Sequence, residues 1–314
     1  VSGDGIAGII PGGGVVTINA YQAEAIDSAK ARAYVGQNTD VKAGGLSVTA
    51  QGTFDTDAST FVVGVGAIGG SGAGTDSRID ASVESWLGAK PGDSLVTPNA
   101  KFDVSGAVVV RANSDAYAQT DASGGTGDAF GIQALLPKAT AATQTAAAVG
   151  SGVTLQADSL DIKATVDLRK AEATDNLIAI SLLAGGAGTS ADANVAGAVQ
   201  AVLGGTATTI AVSGALDVVA ETANGTAVAR TELGGGGILN VQVALADASN
   251  TASTQAWIAD GTRITDAGSV NVKADSKDTA TATSNVASGG LISGRGTRAD
   301  TTVTPSTQAW IGRD

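Results

Sequence analysis

The hexapeptide Ser253-Thr254-Gln255-Ala256-Trp257-Ile258 returns unchanged 53 positions later as Ser306-Thr307-Gln308-Ala309-Trp310-Ile311. A chain that repeats itself at a fixed period folds as an array of similar units, each of which must suit the neighbours on either side. Looser copies of this anchor lie upstream at Ala33-Tyr34-Val35-Gly36, Ser85-Trp86-Leu87-Gly88, Ala147-Ala148-Val149-Gly150 and Ala201-Val202-Leu203-Gly204. From Val35 through Leu87, Val149, Leu203, Ile258 and Ile311 the steps are 52, 62, 54, 55 and 53 residues. The long step marks an insertion, expected at Pro91 to Ala100, where turn formers cluster. The repeats then run approximately over 31–82, 83–144, 145–198, 199–253 and 254–306, with partial copies at 1–30 and 307–314, in one elongated body spanning 1–314. A start at Val1 without any Met reads as a piece of a longer product, and Trp310-Ile311-Gly312 as the opening of a further repeat.

After each anchor comes a stretch with strict alternation: Leu46–Ala50, Val108–Ala112, Leu160–Ala164, Leu216–Ala220 and Val270–Ala274. Successive side chains of a strand point to opposite faces, so the first, third and fifth positions form one apolar face in every copy. The positions between them are mostly polar, with Val109 and Val219 as exceptions. Gly45, Gly106, Gly214 and Gly268 precede four of these strands and are expected to form corners with positive φ. Farther on, each repeat holds a Gly-rich apolar run. In the clearest of them Leu239, Val241, Val243 and Leu245 alternate with Asn240, Gln242 and Ala244. About four short strands per repeat are expected.

Four strands could close into a small sandwich or form part of a coil. A string of sandwiches needs large inward residues and exposed linkers, whereas this chain has 44 Gly, only 10 aromatic residues in all, and no linker between copies. Stacked coils need only match the layers above and below. The expected fold is therefore all-β, a parallel β-solenoid built from ~53-residue repeats. Because that period exceeds the roughly 20–45 residues of a usual solenoid unit, two coils per repeat are expected.

The residue inventory limits the chemistry. With no Cys and no His there is no thiolate, no imidazole base and no imidazole metal ligand, and the acidic residues are scattered rather than gathered beside Lys and Arg. No catalytic residue, cofactor-binding residue or metal ligand is assigned, and a polysaccharide-cleaving β-helix is the least favoured reading. The net charge of −12 without a basic patch argues against nucleic acid and against an anionic membrane surface. No run of about 18 apolar residues is present to form a transmembrane helix, so direct membrane insertion is not expected.

Two features invite binding. The anchor aromatics Tyr34, Trp86, Trp257 and Trp310 alternate with inward Val35, Leu87, Ile258 and Ile311, so they should form an outward ladder, interrupted at Ala148 and Val202, that could contact glycans or a partner surface. Gly124-Gly125-Thr126-Gly127-Asp128-Ala129-Phe130 is similar to the nonapeptide of repeats-in-toxin proteins, whose turn oxygens bind calcium, although Asp128 falls one position early and the motif is not repeated. Structural calcium is thus the one cofactor considered. Asp260-Gly261 and Asp266 read as turn formers.

Taken together, the anchor, the corner glycine, the alternating strand and the Gly-rich Val/Ala run resemble the repeats of large bacterial surface and secreted proteins of the filamentous haemagglutinin and filamentous-adhesin type. The resemblance implies an exported, right-handed β-solenoid on the cell surface or outside the cell. It would serve without catalysis as a stalk, filament or biofilm-matrix component, with further repeats or other copies of itself as partners, assembled end to end or laterally. A glycan- or calcium-binding adhesin module is the alternative.

Overall fold

A computed structural model describes residues 2–7, 12–90 and 100–313, with side chains from Val15 onward. Every regular element among the described residues is a β-strand, and every pairing is parallel. Six successive coils stack on one another. The first contains Gly12–Asp27, Lys30–Val35 and Asp40–Ala43, with Ser2–Ala7 belonging to its outgoing arm; the second contains Leu46–Leu87 and Ala100–Val104. The third is formed by Ala107–Val149 and Val153–Ala157, and the fourth by Ser159–Leu203 and Thr208–Val212. Ala215–Asn250, Ser253–Ile258 and Thr262–Asp266 make the fifth, and Ser269–Val303 with Ser306–Ile311 the sixth.

The register reproduces the repeat. Val35 pairs with Leu87, Leu87 with Val149, Val149 with Leu203, Leu203 with Ile258, and Ile258 with Ile311. Leu46, Val108, Leu160, Leu216 and Val270 form a second continuous column. Hydrogen-bonded neighbours are thus one whole repeat apart, so each repeat is a single coil and not the two expected from its length. The length is spent inside the coil. The chain runs out along one arm, bends at a Gly-rich tip and returns along the other arm. In the second coil Thr56 faces Ser77 and Thr60 faces Thr75 across the interior, with the two hydroxyls of the latter pair 2.9 Å apart.

The four short strands expected per repeat are also revised. Pairing with the coil above continues round the tip, so Leu46–Leu87 forms one ladder of 42 residues. The remaining side of the coil is a separate five-stranded parallel sheet made of the short strands Asp40–Ala43, Ala100–Val104, Val153–Ala157, Thr208–Val212 and Thr262–Asp266. It closes the base of the coil opposite the tip. The insertion expected at Pro91 to Ala100 lies, Ala100 apart, outside the described residues.

The base carries the main core. Leu160, Ile162 and Ala164 point inward against Leu203 and the short-strand residues Leu155 and Ile210, all essentially inaccessible to water. Each such Leu or Ile contributes roughly 1.5–3 kcal/mol on burial, and stacking supplies the layers above and below that one coil lacks. The outward positions of the same strands bear charge, as in the Arg111–Asp161 ion pair at 2.5 Å and the Lys163–Glu221 pair at 3.1 Å.

The corner glycines differ from expectation. Positive φ occurs after the anchors, at Gly88 (79°), Gly152 (72°), Gly204 (86°) and Gly261 (75°), and not at Gly45, Gly106, Gly214 or Gly268. At Gly106, Gly214 and Gly268 the constraint is contact between coils. A Cβ at Gly214 would lie 2.9 Å from the Asp158 carbonyl oxygen, and one at Gly268 would lie 2.8 Å from that of Ser213. The same closeness permits Gly214 N to donate to Asp158 O at 2.7 Å, and Gly268 N to Gly214 O at 2.8 Å.

Candidate functional site

The coil stack places the four anchor aromatics in one column, Tyr34, Trp86, Ala148, Val202, Trp257 and Trp310. It joins them in pairs. Tyr34 stacks on Trp86 with ring centroids 4.5 Å apart, and Trp257 on Trp310 at 4.9 Å, both pairs within 2° of parallel. Ala148 and Val202 separate the pairs and pack with Trp86 and Trp257 into a small cluster outside the main core. The Lys90 ammonium sits 5.6 Å from the Trp86 ring centroid, and Trp86 is only 8% exposed. The ring faces are turned to one another along the stack, so this ladder is a seam between coils; its exposed parts are Tyr34 and Trp310 at its two ends.

Asp128 of the Gly-rich segment points into the coil and is 4% exposed. A Cβ at Gly131 would lie 2.8 Å from its Oδ2, and burial pushes its carboxyl upward from the usual range. Among the described residues no group of three or more acidic side chains is placed to hold a metal ion. Asp260 caps a turn, its Oδ1 accepting from Arg313 N at 2.8 Å. Asp266 ends the short strand that follows, opposite Ala211.

Stacking assembles a polar network that spacing within one repeat does not announce. Tyr117 of the third coil donates to Gln119 Oε1 (2.6 Å) or to Glu172 Oε2 of the fourth (3.0 Å). Glu172 also pairs with Lys170 at 2.6 Å and with Arg230 of the fifth coil at 3.6 Å, and Lys170 lies over the Tyr117 ring at 4.9 Å. Burial pushes the Glu172 carboxyl up, but hydrogen bonds from Lys170 and Tyr117 outweigh it and hold the group below its ordinary value. Burial and the adjacent Glu172 carboxylate raise the Tyr117 phenol. The signal that could have found this network is the one-repeat register, which sets Gln119, Glu172, Val228 and Thr281 in one column.

The surface least like a soluble protein is the tip. Leu239, Val241 and Val243 face outward with 43%, 51% and 42% exposure, while the alternating Asn240 and Gln242 are buried. With its amide oriented to its surroundings, Gln242 accepts from Gly235 N (3.0 Å) and Asn240 Nδ2 (3.2 Å) and donates to Ala287 O (3.2 Å). Beyond a small cluster of Val62, Leu135, Leu177 and Leu233, the interior here is lined by polar groups such as Ser71, Asp128, Gln133 and Ser181. Asp175 is buried on the same side, and burial raises its carboxyl to about 8 although Glu232 N donates to it.

Outside, on the return arm, Val16, Ile68, Phe130, Ala184, Leu239 and Ile292 form an apolar column. Two residues farther along, the column reads Ile18, Gly70, Ile132, Gly186, Val241, Gly294. The next reads Ala20, Gly72, Ala134, Gly188, Val243, Gly296. A groove of about 410 Å³ runs over Gly69, Gly131, Gly185 and Gly186 between Ile68 and Ile132. On the outgoing arm the alternation has the opposite phase, Val65, Gly127, Ile180 and Gly236 in succession.

Comparison of the chain with known protein families, with curated protein sequences and with solved structures finds no match. The chain is placed by its own geometry as an all-parallel, repeat-built β-solenoid.

Proposed function

We propose that this chain is a non-enzymatic structural protein of the cell surface or extracellular space, a stalk, filament or matrix component that acts through coil stacking and self-association. The observation that carries the reading is the ladder itself. Six coils pair in register over nearly their whole contour, from Leu46–Leu87 on Ala107–Val149 to Ala215–Asn250 on Ser269–Val303. That arrangement converts sequence repeats directly into length, at about 4.8 Å per coil, and sheet edges are templates for further pairing. The resemblance to filamentous-adhesin repeats supports the same reading and supplies the location. Metal-free assembly belongs to the proposal, since Asp128 is buried inside the tip and Asp260 is engaged as a turn cap.

Electron microscopy of the purified protein tests it. Rods or filaments, unchanged by a chelator, are the expected result. Dispersed particles that lose their shape or melt earlier on chelation would replace it with the calcium-binding reading.

A further inference from the structure

The ridged return face of the tip has glycines that the coil itself does not require. Gly70, Gly72, Gly186, Gly188, Gly294 and Gly296 all lack positive φ, and a Cβ at any of them would meet nothing closer than 3.6 Å. Glycine weakens a strand, and inside one it marks a close approach by a ligand or another backbone. Within the coil no such approach exists at these six outward positions, so the approaching surface must come from outside.

The pattern identifies that surface. In the two columns that hold these glycines, the second, fourth and sixth coils carry Gly, while the first, third and fifth carry Ile18, Ile132 and Val241 in one and Ala20, Ala134 and Val243 in the other, so the ridges of the Ile18 column recur every two coils, about 9.6 Å. A two-fold axis lying in the interface plane, along the strands and between the third and fourth coils, sets each ridge of the Ile18 column against a groove: first against sixth, third against fourth, fifth against second. The face is therefore complementary to itself in the isologous manner of symmetric dimers. Nine of its large apolar residues, from Val16 to Ile292, are 42–82% exposed, a contiguous apolar patch of the kind that marks an interaction surface. In the first five coils the segments that form it, such as Phe130–Ala134 and Leu239–Val243, carry no charge, so two chains of net charge −12 can meet here without opposing their charged sides.

We infer that the return face of the tip is a lateral self-association surface, on which a second copy of this chain packs antiparallel with its Ile and Val ridges seated in the glycine grooves. This deepens the structural reading above and rests on it for the role of assembly. A lipid surface would also accept an apolar face, but bilayer chains impose no two-coil period and demand no glycines.

Sedimentation of the full 314-residue chain across a concentration series provides the test. The parent should pass from monomer to dimer. Ile132→Ser with Val241→Ser, at outward positions, should raise the dimer dissociation constant at least about tenfold with the far-UV spectrum and melting unchanged. Gly186→Val, which fills a groove, should weaken dimerisation similarly while leaving the monomer as stable or more so; a merely structural glycine would give the reverse. A parent that does not associate, or association indifferent to both variants, would each overturn the inference. Flotation with neutral phosphatidylcholine vesicles by a chain that does not dimerise would assign the face to lipid. Rods of single width in the microscope would leave the stalk reading standing while this one fell.

Discussion

The base and the tip of each coil are written in the same alternating code and fold with opposite sense. In Leu216–Ala220 the apolar positions Leu216 and Val218 are fully buried and Asp217 faces out, where it accepts from Asn271 Nδ2 at 3.0 Å. In Leu239–Val243 the apolar residues face out and Asn240 and Gln242 are buried. Alternation therefore fixes that two faces differ and leaves open which of them is inside. At the base the short-strand sheet supplies a third apolar wall, and burying Leu, Ile and Val there is the most favourable arrangement. At the tip two arms approach closely, inward amides bridge them, and glycine makes the room: a Cβ at Gly124 would lie 2.8 Å from Gln133 Nε2.

The largest contrast should appear on truncating apolar residues. Ile162→Ala at the base removes a fully buried side chain and should cost about 2–5 kcal/mol in denaturant melts, whereas Val241→Ala at the tip should leave the monomer within about 0.5 kcal/mol. Equal losses at both sites would erase the distinction between the two regions.

Next in size is a pH effect centred on Asp175. Asp175 has a folded-state value near 8 set by burial, above its ordinary value near 4. The native chain then holds a proton that the unfolded chain releases, so the stability tied to this group is fully present below about pH 4 and is lost as pH rises through about 8. Burial raises Asp121 and Asp192 in the same direction. Melting should be higher at pH 5 than at pH 8.5, and Asp175→Asn should remove part of that slope, an effect on the order of a few kcal/mol. A slope of opposite sign would mean that Asp175 is ionised and paired.

Glycine substitutions sharpen the comparison further. Gly197 has φ of 103° and faces the Thr143 carbonyl, so Gly197→Ala should destabilise by about 1–3 kcal/mol. Gly188→Ala, with open space around it, should be neutral or slightly stabilising to the monomer. The smallest effect belongs to the outer charges: Arg111, in an exposed pair with Asp161, should lose at most about 1 kcal/mol on change to Ala.

Much of the base was legible in the sequence. The anchors and the Leu-x-Val-x-Ala strands align copy to copy, and those alignments are the ladder register, residue for residue, from Tyr34–Trp86 to Trp257–Trp310. The period was read as two coils per repeat where the ladder has one, because a repeat fixes the translation between equivalent residues and not the path between them. The corner glycines were found but assigned the wrong constraint, since contact with Ser213 or Asp158 of the adjacent coil is invisible within one repeat. The aromatic column follows from the same alignment, and what the alignment does not show is that its rings stack on one another in pairs. The sense of the tip was the hardest to read: a run such as Leu239–Leu245 has no feature of its own that tells inward from outward, and only the facing arm decides.

Because the chain contains no Cys, single cysteines provide the most direct test of the inverted tip. They would be placed in turn at Leu239, Asn240, Val241, Gln242 and Val243, with Leu216, Asp217 and Val218 as the base set, and labelled with a polar maleimide on dilute monomer. Positions 239, 241 and 243 should react rapidly and 240 and 242 slowly, while at the base 217 reacts and 216 and 218 are protected. Rapid labelling at 240 and 242 with protection at 241 would show that the tip buries its apolar residues as the base does, and would contradict the inversion.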